Sequence, residues 1–226
     1  MIYDNIKAAK FINRPNRFIA YIEIDGKIEL CHVKNTGRCK ELLTEGASIF
    51  VQKTNNSNRK TKYSLISVYK GKSLVNIDSQ APNRIFHEWL LEEKLFENIT
   101  LIKPECKYNN SRFDFYIEAD NKKIFIEVKG VTLEENGVAM FPDAPTERGL
   151  KHLNELSDSI DEGYEAYVCF VIQMKDVLHF TPNYKTHKEF GETLKKISKK
   201  GVNLIALDCE VTKNIITACE HVGIIL

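Results

Sequence analysis

Two neighbouring segments carry ionisable residues where a buried strand should be apolar. In RFDFYIEA, Asp114 lies between two phenylalanines, and in IFIEVKG, Glu127 and Lys129 lie among isoleucine and valine residues. The sequence ADNK (119–122) between the segments predicts a turn, so the two strands should form an antiparallel hairpin with Asp114 beside Glu127. A buried carboxylate is costly unless it is paired or bound to a metal ion. These residues are therefore candidates for catalysis.

An Asp followed on the next strand by Glu-x-Lys is the spacing of a nuclease site of the PD-(D/E)XK type. Asp114 and Glu127 would hold Mg²⁺ or Mn²⁺, since these ions prefer oxygen ligands. Lys129, on the same face as Glu127, would orient the attacking water or stabilise charge in the transition state. Glu88 and Glu105 are further carboxylates of the kind that complete such catalytic sites. The alternative is an ordinary cross-strand ion pair on an exposed sheet face.

A second group of polar residues follows in GVAMFPDAPTERGLKHL (137–153). The apolar spacing predicts a helix from Asp143 through about Asp161, with Asp143 as its N-cap. Arg148 and His152 lie one turn apart on one stripe, where the positive helix N-terminus would help them to bind a phosphate. The alternative is that Asp143 only caps the helix and that the side chains of Arg148 and His152 are exposed to solvent without a function.

From residue 81 onward, helical and strand patterns alternate. PNRIFHEWLLEEKLF predicts a helix that starts near Pro82, and ITLIKPECKY predicts the strand before the hairpin. AYVCFVI predicts a buried strand, YKTHKEFGETLKKISKK a polar-faced helix, and VNLIALDCEV the last strand. Helices between strands favour crossover connections. Residues 81–226 are therefore predicted to form an α/β domain with a mixed sheet flanked by helices.

Residues 1–80 instead show short strands. RFIAYIEIDGKIELCHV predicts a hairpin around Asp25-Gly26, and ASIFVQK, KYSLISVYK and KSLVNI predict further strands. The shared face of the first strand should hold Phe18, Ala20, Ile22 and Ile24. The stretch KTNNSNRKTK (53–62) predicts an exposed basic loop. About five short strands predict a small closed barrel, and the OB type combines this size with a polyanion-binding face.

The formal net charge of +1 hides an asymmetry. Residues 1–80 contain 14 Lys and Arg against 7 Asp and Glu, whereas residues 81–226 contain 18 against 24. The first part is therefore a candidate for DNA binding through its basic face, including Arg14, Arg17 and Arg38. The alternative is that lysine-rich loops only keep a small β domain in solution.

Several classes of protein are excluded. A composition with 43% hydrophobic and 28% charged residues excludes a disordered chain. No apolar run approaches the roughly 20 residues of a membrane span, and the first residues do not resemble a signal peptide. The six cysteines form no C-x-x-C pair, which favours a reducing, cytoplasmic setting. The oligomeric state is left open, a homodimer included.

The chain resembles the sugar fermentation stimulation protein family of bacteria and archaea over nearly its whole length. The resemblance rests on NRFIAYIEIDGK, VKNTGR, APNRIFHEWL, SRFDFYIE, IFIEVKGVTL and the long, highly specific FPDAPTERGLKHLNEL. It implies an N-terminal OB-like domain, residues 1–80, and a C-terminal PD-(D/E)XK nuclease-like domain, residues 81–226. It also implies DNA binding and a regulatory link to sugar catabolism, which would be transcription regulation.

The resemblance further implies roles for individual residues. The nuclease-like core would comprise Glu88, Asp114, Glu127 and Lys129. The same cleft would be lined by Asp143, Thr146, Glu147, Arg148 and His152. The DNA or the domain junction would be approached by Asn35, Thr36, Gly37 and Arg38. One mild departure is Gly130, which follows E-V-K where a small polar residue is common.

The sequence thus predicts a DNA-binding protein with a nuclease-like site that uses Mg²⁺ or Mn²⁺. One alternative is a non-catalytic DNA-binding regulator of sugar catabolism genes with a vestigial site, although the presence of Asp114, Glu127 and Lys129 argues against complete decay. Another is a nucleotide- or RNA-processing enzyme with the same metal chemistry. On the barrel, Tyr21 or Tyr63 could stack on bases.

Overall fold

Short strands fold the first part of the chain into a closed barrel. These strands are β1 (Ile6–Asn16), β2 (Ile19–Ile24), β3 (Lys27–Val33), β4 (Ser48–Lys53), β5 (Tyr63–Lys70) and β6 (Ser73–Asn76). They are hydrogen-bonded in the order β3-β2-β1-β4-β5-β6, and the parallel pairing of β3 with β5 closes β1 to β5 into a five-stranded barrel. Alternate residues such as Ala20 and Ile22 fill its interior. The predicted barrel is confirmed.

The computed structural model describes residues 1–54, 56, 59–93 and 95–226. The predicted basic loop at 53–62 therefore lies partly outside the described residues, at positions 55, 57 and 58.

The hairpin of β2 and β3 forms where the sequence predicts it. Asp25 and Gly26 are the two loop residues and both have positive φ, 51° and 72°, as a tight hairpin turn requires. Phe18 does not share the inward face as predicted and is 51% exposed. The side chain of Asn16 accepts the N–H groups of Phe18 and Ile19, so a turn holds Phe18 and the strand begins only after it.

β1, the central strand of the barrel sheet, was not predicted from the sequence. It pairs with β2 on one side and with β4 on the other. Phe11 is its one fully buried residue, and the polar side chains around it alternate with no clear period. A strand with so little buried apolar surface lacks the alternation on which sequence-based assignment depends.

The second part of the chain forms an α/β domain. Its helices are α1 (Ala81–Glu92), α2 (Glu147–Asp161) and α3 (Lys188–Lys200). Its strands are β7 (Ile99–Tyr108), β8 (Ser111–Ala119), β9 (Lys122–Val131), β10 (Leu133–Glu135), β11 (Val138–Phe141), β12 (Glu165–Ile172), β13 (His179–Pro182), β14 (Asn203–Val211) and β15 (Ile216–His221). The main sheet has the order β15-β14-β12-β9-β8-β7, and β10, β11 and β13 form a small second sheet.

The main sheet is mixed and covered on both faces, as predicted. β9, β12 and β14 run parallel, whereas β7, β8 and β15 pair antiparallel with their neighbours. Ile124, Ile126 and Val128 of β9 belong to the apolar core that includes α1, and Phe125 belongs to the core that includes α2 and α3. Burial on both sides explains why β9 and β12 are nearly continuous apolar runs.

Several element boundaries differ from the prediction. α1 ends at Glu92, α3 begins at Lys188, and β15 follows the strand expected to be last. The small second sheet was also missed. Its strands have three or four residues each, too few to show a period of two.

α2 begins at Glu147 rather than at the predicted Asp143, and Thr146 is its N-cap. The hydroxyl of Thr146 accepts the N–H of Gly149 at 3.0 Å. Pro145 explains the later start, because the residue before a proline is disfavoured in the helical conformation and a helix through Asp143 and Ala144 would need it there.

Polar groups are buried where the two parts of the chain meet. Asp78 is fully buried and accepts a hydrogen bond at 2.6 Å from Lys34, the residue that follows β3. Gln173, which follows β12, donates to the side chain of Asn76 at 2.9 Å and to the backbone oxygen of Asp78 at 3.1 Å. These bonds tie the end of the barrel to the main sheet.

Within the described part of the chain, no helix is long and apolar enough to cross a membrane, and the longest, α2, has 15 residues.

The capping role of Thr146 is testable by substitution. Thr146→Ala removes the acceptor for the Gly149 N–H and should lower the free energy of unfolding by about 1 kcal/mol, measured by urea denaturation. Thr146→Ser keeps the hydroxyl and should lose at most about half of that. Equal losses in both variants would show that the hydroxyl does not cap α2.

Candidate active site

The site begins where β8 and β9 separate. Their backbone pairing ends at Phe115 and Ile126, and beyond it the Oδ2 atom of Asp114 accepts the backbone N–H of Val128 at 2.7 Å. Phe113 and Phe115 pack on opposite sides of the sheet, against Phe125 and Phe86 respectively. The strand therefore turns over at Asp114, and its carboxylate takes the place of a backbone acceptor.

Glu127 lies beside Asp114 and is 3% exposed. Its Oε1 atom accepts a hydrogen bond from Nδ1 of His152 at 2.5 Å and another from the ammonium group of Lys129. Its Oε2 atom is buried and has no hydrogen-bond partner among the described residues. A buried carboxylate oxygen without a partner is costly, so an additional ligand at this atom would offset that cost.

The surroundings shift the pKa values of the two carboxyl groups in opposite directions. Burial raises the pKa of Asp114, and the neighbouring negative charge of Glu127 raises it further. Burial also acts to raise the pKa of Glu127, but Lys129 and His152 outweigh it, and that pKa lies below its usual value. Glu127 is therefore ionised at neutral pH, and its charge adds to the effect of burial in making Asp114 harder to ionise.

His152 is buried, so the alternative that left it solvated is wrong. It is 6% exposed and belongs to α2. The Nε–H group of Arg148 donates to Nε2 of His152 at 3.4 Å, and this bond makes Nε2 the acceptor. The proton is then on Nδ1, the atom that faces Glu127. Arg148 itself is exposed at the edge of the same pocket.

The acidic residues line a pocket of about 520 Å³ between the main sheet and α2. Its walls include Asp114, Glu127 and Lys129 together with Glu105, Thr146, Arg148 and His152. The side chain of Glu105 is exposed and pairs with Arg112 at 3.1 Å. The structure thus brings seven of the predicted site residues together in one place.

Asn83 is a site residue that the sequence analysis missed. Its side-chain amide donates to Oδ1 of Asp114 at 2.7 Å. It occupies the first turn of α1, directly after Pro82, where an asparagine is ordinarily interpreted as a capping residue. The one feature of the sequence that could have pointed to Asn83 is that it belongs to APNRIFHEWL, one of the segments on which the family resemblance rests.

The donor set fits a hard divalent cation. Asp114 and Glu127 offer carboxylate oxygens, and one of these oxygens is buried without a partner. Mg²⁺ is commonly bound by one or two carboxylates and keeps several water ligands. Within the described residues there is no cluster of three or more His, Cys, Asp and Glu that could hold a metal ion. An ion bound here would therefore have two carboxylates as protein ligands, with the remaining positions left to water and substrate.

Gly130 has a steric reason for its place after the Glu-Val-Lys sequence. A Cβ atom on this residue would lie 2.7 Å from Oε1 of Gln173 and 2.7 Å from Cγ of Pro82. Pro82 belongs to the first turn of α1, so its ring cannot move unless the helix moves too. The departure noted in the sequence therefore reflects close packing beneath the pocket.

Glu88 does not join the acidic pair. One of its carboxylate oxygens pairs with the N-terminal amine of Met1 at 2.5 Å and the other with Arg84 at 2.9 Å. It lines another cavity beside Ile85. Glu88 lies five positions after Asn83, which rotates it by about 140° around the helix, away from the pocket.

Two residues predicted to line the cleft also lie outside the pocket. The side chain of Glu147 is 84% exposed, and its Oε1 atom lies 3.7 Å from Nε2 of His187. Asp143 lies against Gly37, where a Cβ atom would approach its Oδ2 atom to 2.3 Å. Asp143 therefore marks the contact between the barrel and the segment before α2.

The basic residues predicted to contact DNA lie around a separate cavity on the barrel. Arg14, Arg17 and Arg38 line it. Asn35 accepts the N–H of Gly37 through its side chain and shapes the adjoining loop. Of the two tyrosines considered for base stacking, Tyr21 is 39% exposed, whereas Tyr63 is 7% exposed and is not available.

Comparisons with known proteins agree with this architecture. A family model described as "Sugar fermentation stimulation protein RE domain" matches residues 80–215, and one described as "SfsA N-terminal OB domain" matches residues 12–77. The second match confirms the OB assignment of the barrel.

Relatives match over the whole length. A sugar fermentation stimulation protein homolog of Clostridium beijerinckii is 63% identical and covers 100% of both chains. One of Desulfitobacterium hafniense is 59% identical and covers 99% of this chain and 98% of its own. The solved structure of Pyrococcus furiosus SfsA in complex with Ca²⁺ is 29% identical, with a TM-score of 0.91 and coverage of 100% and 98%.

The bond between Glu127 and His152 can be measured by a double-mutant cycle. His152→Ala, Glu127→Gln and the double variant should give a coupling free energy of about 2 kcal/mol in urea unfolding at pH 7, because a buried charge accepts the bond. Since the pKa of Glu127 is lowered in the folded state, this stabilisation is present above the usual carboxyl range and is lost as the pH falls through the lowered pKa. Additive effects at pH 7 would contradict the bond.

Proposed function

The chain belongs to the sugar fermentation stimulation protein family, and from that premise we propose that it is a DNA-binding protein that hydrolyses phosphodiester bonds with a divalent metal ion. In this proposal residues 1–80 form the nucleic-acid-binding domain and residues 81–226 the nuclease-like domain. The protein would act in the cytoplasm, with Mg²⁺ or Mn²⁺ as the cofactor.

The observation that carries the proposal is the unpartnered Oε2 atom of Glu127 next to Asp114. A purely structural ion pair would use both carboxylate oxygens or expose the spare one to water. Here the spare oxygen is buried in a pocket that also holds a second carboxylate. This arrangement supports a metal site better than a cross-strand ion pair. The Ca²⁺ complex of the Pyrococcus furiosus relative supports it independently.

Each residue of the pocket has a distinct part in the proposed reaction. A metal ion bound by Asp114 and Glu127 would polarise the scissile phosphate and lower the pKa of an attacking water molecule. Lys129 holds Oε1 of Glu127 with one N–H and has two more with which to orient that water or stabilise charge on the phosphate. Asn83 fixes the orientation of Asp114.

Arg148 is suited to the substrate phosphate rather than to the metal. Its Nε–H is directed at His152, and its Nη groups have no partner among the described residues. A guanidinium group at the edge of an acidic pocket can donate hydrogen bonds to two phosphate oxygens at once. His152 meanwhile keeps Glu127 in place, so it acts as a positioning residue.

A second candidate function is a non-catalytic, DNA-binding regulator of sugar catabolism genes. One arrangement favours it: Lys129 and His152 both bind Oε1 of Glu127, so the ammonium group of Lys129 offsets the charge of this carboxylate without any metal. The described residues also hold no larger metal-binding cluster. Under this alternative the pocket would bind phosphate without cutting it.

Cleavage of DNA decides between the two functions. Single- and double-stranded DNA would be incubated with the protein and Mg²⁺ or Mn²⁺, and products followed on gels. Asp114→Asn and Glu127→Gln should each lower the cleavage rate at least about 100-fold, since each removes a metal ligand.

Glu118→Gln is the matched control, because Glu118 is on the same strand as Asp114 but outside the pocket. It should cleave like the wild type. Binding without cleavage in the wild type, unchanged in both pocket variants, would support the regulator instead. Cleavage that survives both substitutions would place the chemistry elsewhere.

A further inference from the structure

The protein has a second cavity that is larger than the acidic pocket. It has a volume of about 730 Å³ and lies on the barrel, against the segment that precedes α2. Phe11 and Leu43 give it an apolar part, and Asn13 and Asn16 give it amide groups. A cavity that combines apolar surface with a few polar groups is typical of a ligand site.

Four cationic side chains surround this cavity, with Glu45 as its one acidic lining residue. Arg17, Arg38 and Lys40 are exposed and form no ion pair within the described residues. Unpaired cations concentrated around one concavity attract a polyanion. The cavity is therefore suited to phosphate groups.

Arg14, the fourth cation, has a different part. Its two Nη atoms donate to the backbone oxygens of Arg17, Asn35, Gly37 and Arg38, at 2.6–3.0 Å. These four bonds use all of the N–H groups on its Nη atoms. Arg14 thus holds the loop in a shape that presents Arg17 and Arg38 to the cavity, and is a positioning residue rather than a phosphate contact.

One short segment separates this cavity from the acidic pocket. Ala144 and Pro145 line the cavity, and Thr146, the next residue, lines the pocket. A ligand that fills the cavity therefore ends one residue away from the proposed catalytic site. A chain of nucleotides is a ligand long enough to occupy both.

Two exposed aromatic side chains flank the cavity. Phe18 is 51% exposed and follows Arg17 in the chain, and Tyr21 is 39% exposed and pairs in register with Asn13. Both neighbours are lining residues of the cavity. Aromatic rings beside a cationic groove are the arrangement on which unpaired bases stack.

We infer that this cavity is a nucleotide subsite through which a single strand of nucleic acid passes from the barrel, over Ala144 and Pro145, into the acidic pocket. The inference rests on the proposed function and specifies its substrate. Phosphates would contact Arg17, Arg38 and Lys40, and bases would contact Phe18, Tyr21 and the apolar part of the cavity.

A single strand fits these surfaces better than a duplex for two reasons. Bases in a duplex are stacked and paired, so their faces cannot reach the aromatic side chains or the apolar lining. Glu127 is also 3% exposed, so the scissile phosphate has to bend into the pocket, which a flexible strand does at less cost than a stiff duplex.

The test is binding of one labelled oligonucleotide, as a single strand and as a duplex, to the full chain in EDTA so that no cleavage occurs. The single strand should bind about tenfold more tightly. The double variant Arg38→Gln/Lys40→Gln should weaken single-strand binding by about tenfold. It should also make the slope of log K against log salt shallower by about 1.4, the value for two lost phosphate contacts.

Lys27→Gln/Lys72→Gln is the charge-matched control, since both lysines are exposed on the barrel but outside the cavity. It should bind like the wild type. Equal losses in the two double variants, or a duplex that binds as tightly as the strand, would overturn the inference. A mononucleotide that competes as well as the whole strand would also overturn it, since the cavity would then serve a free nucleotide.

The path between the two sites has its own test. Ala144→Glu places a negative charge on the shared segment and should weaken single-strand binding, whereas the isosteric Ala144→Gln should weaken it much less. Equal affinity of the two variants would rule out this route. If the protein cuts only duplex DNA in a metal-dependent way, the single-strand path is refuted but the proposed chemistry stands. If a single strand binds in the cavity and nothing is cut, the path stands but the proposed chemistry is refuted.

Discussion

The buried carboxylate of Glu127 is the constraint on which the rest of the site depends. Its Oε1 atom is held by Lys129, two residues along the same strand, and by His152 from α2, so the helix has to lie over the end of β9. That placement also sets the position of the segment before α2, which contacts the barrel at Gly37. One hydrogen-bonded charge thus links the sheet, the helix and, through 143–146, the first domain.

The same interaction gives the carboxyl groups of Glu127 and Asp114 pKa values that are shifted in opposite directions. With Lys129 and His152 beside it, Glu127 stays ionised despite its burial. Burial raises the pKa of Asp114, and the charge of Glu127 raises it further. A polar site that leaves one buried oxygen without a partner is costly for folding. Such a cost is expected where a bound cation, rather than the folded chain alone, completes the interactions.

Sequence reasoning predicted the part of the site that depends on short-range geometry. A turn between two strands and a period of two are enough to place Asp114, Glu127 and Lys129 together. The contacts made by helices were harder to predict from the sequence, because they depend on how each helix is rotated about its axis against the sheet. Glu88 was therefore assigned to the site and Asn83 was missed. The cap of α2 was misplaced because Pro145 delays the helix, and β1 was missed because it buries little apolar surface.

Calorimetric titration of the protein with Mn²⁺ tests the central claim most directly, because it measures the metal site without requiring catalysis. If Asp114 and Glu127 are the ligands, heat should report one ion per chain, and both Asp114→Asn and Glu127→Gln should abolish or greatly weaken its binding. Ions that bind the wild type and both variants with equal affinity, or no binding to the wild type at all, would contradict the account.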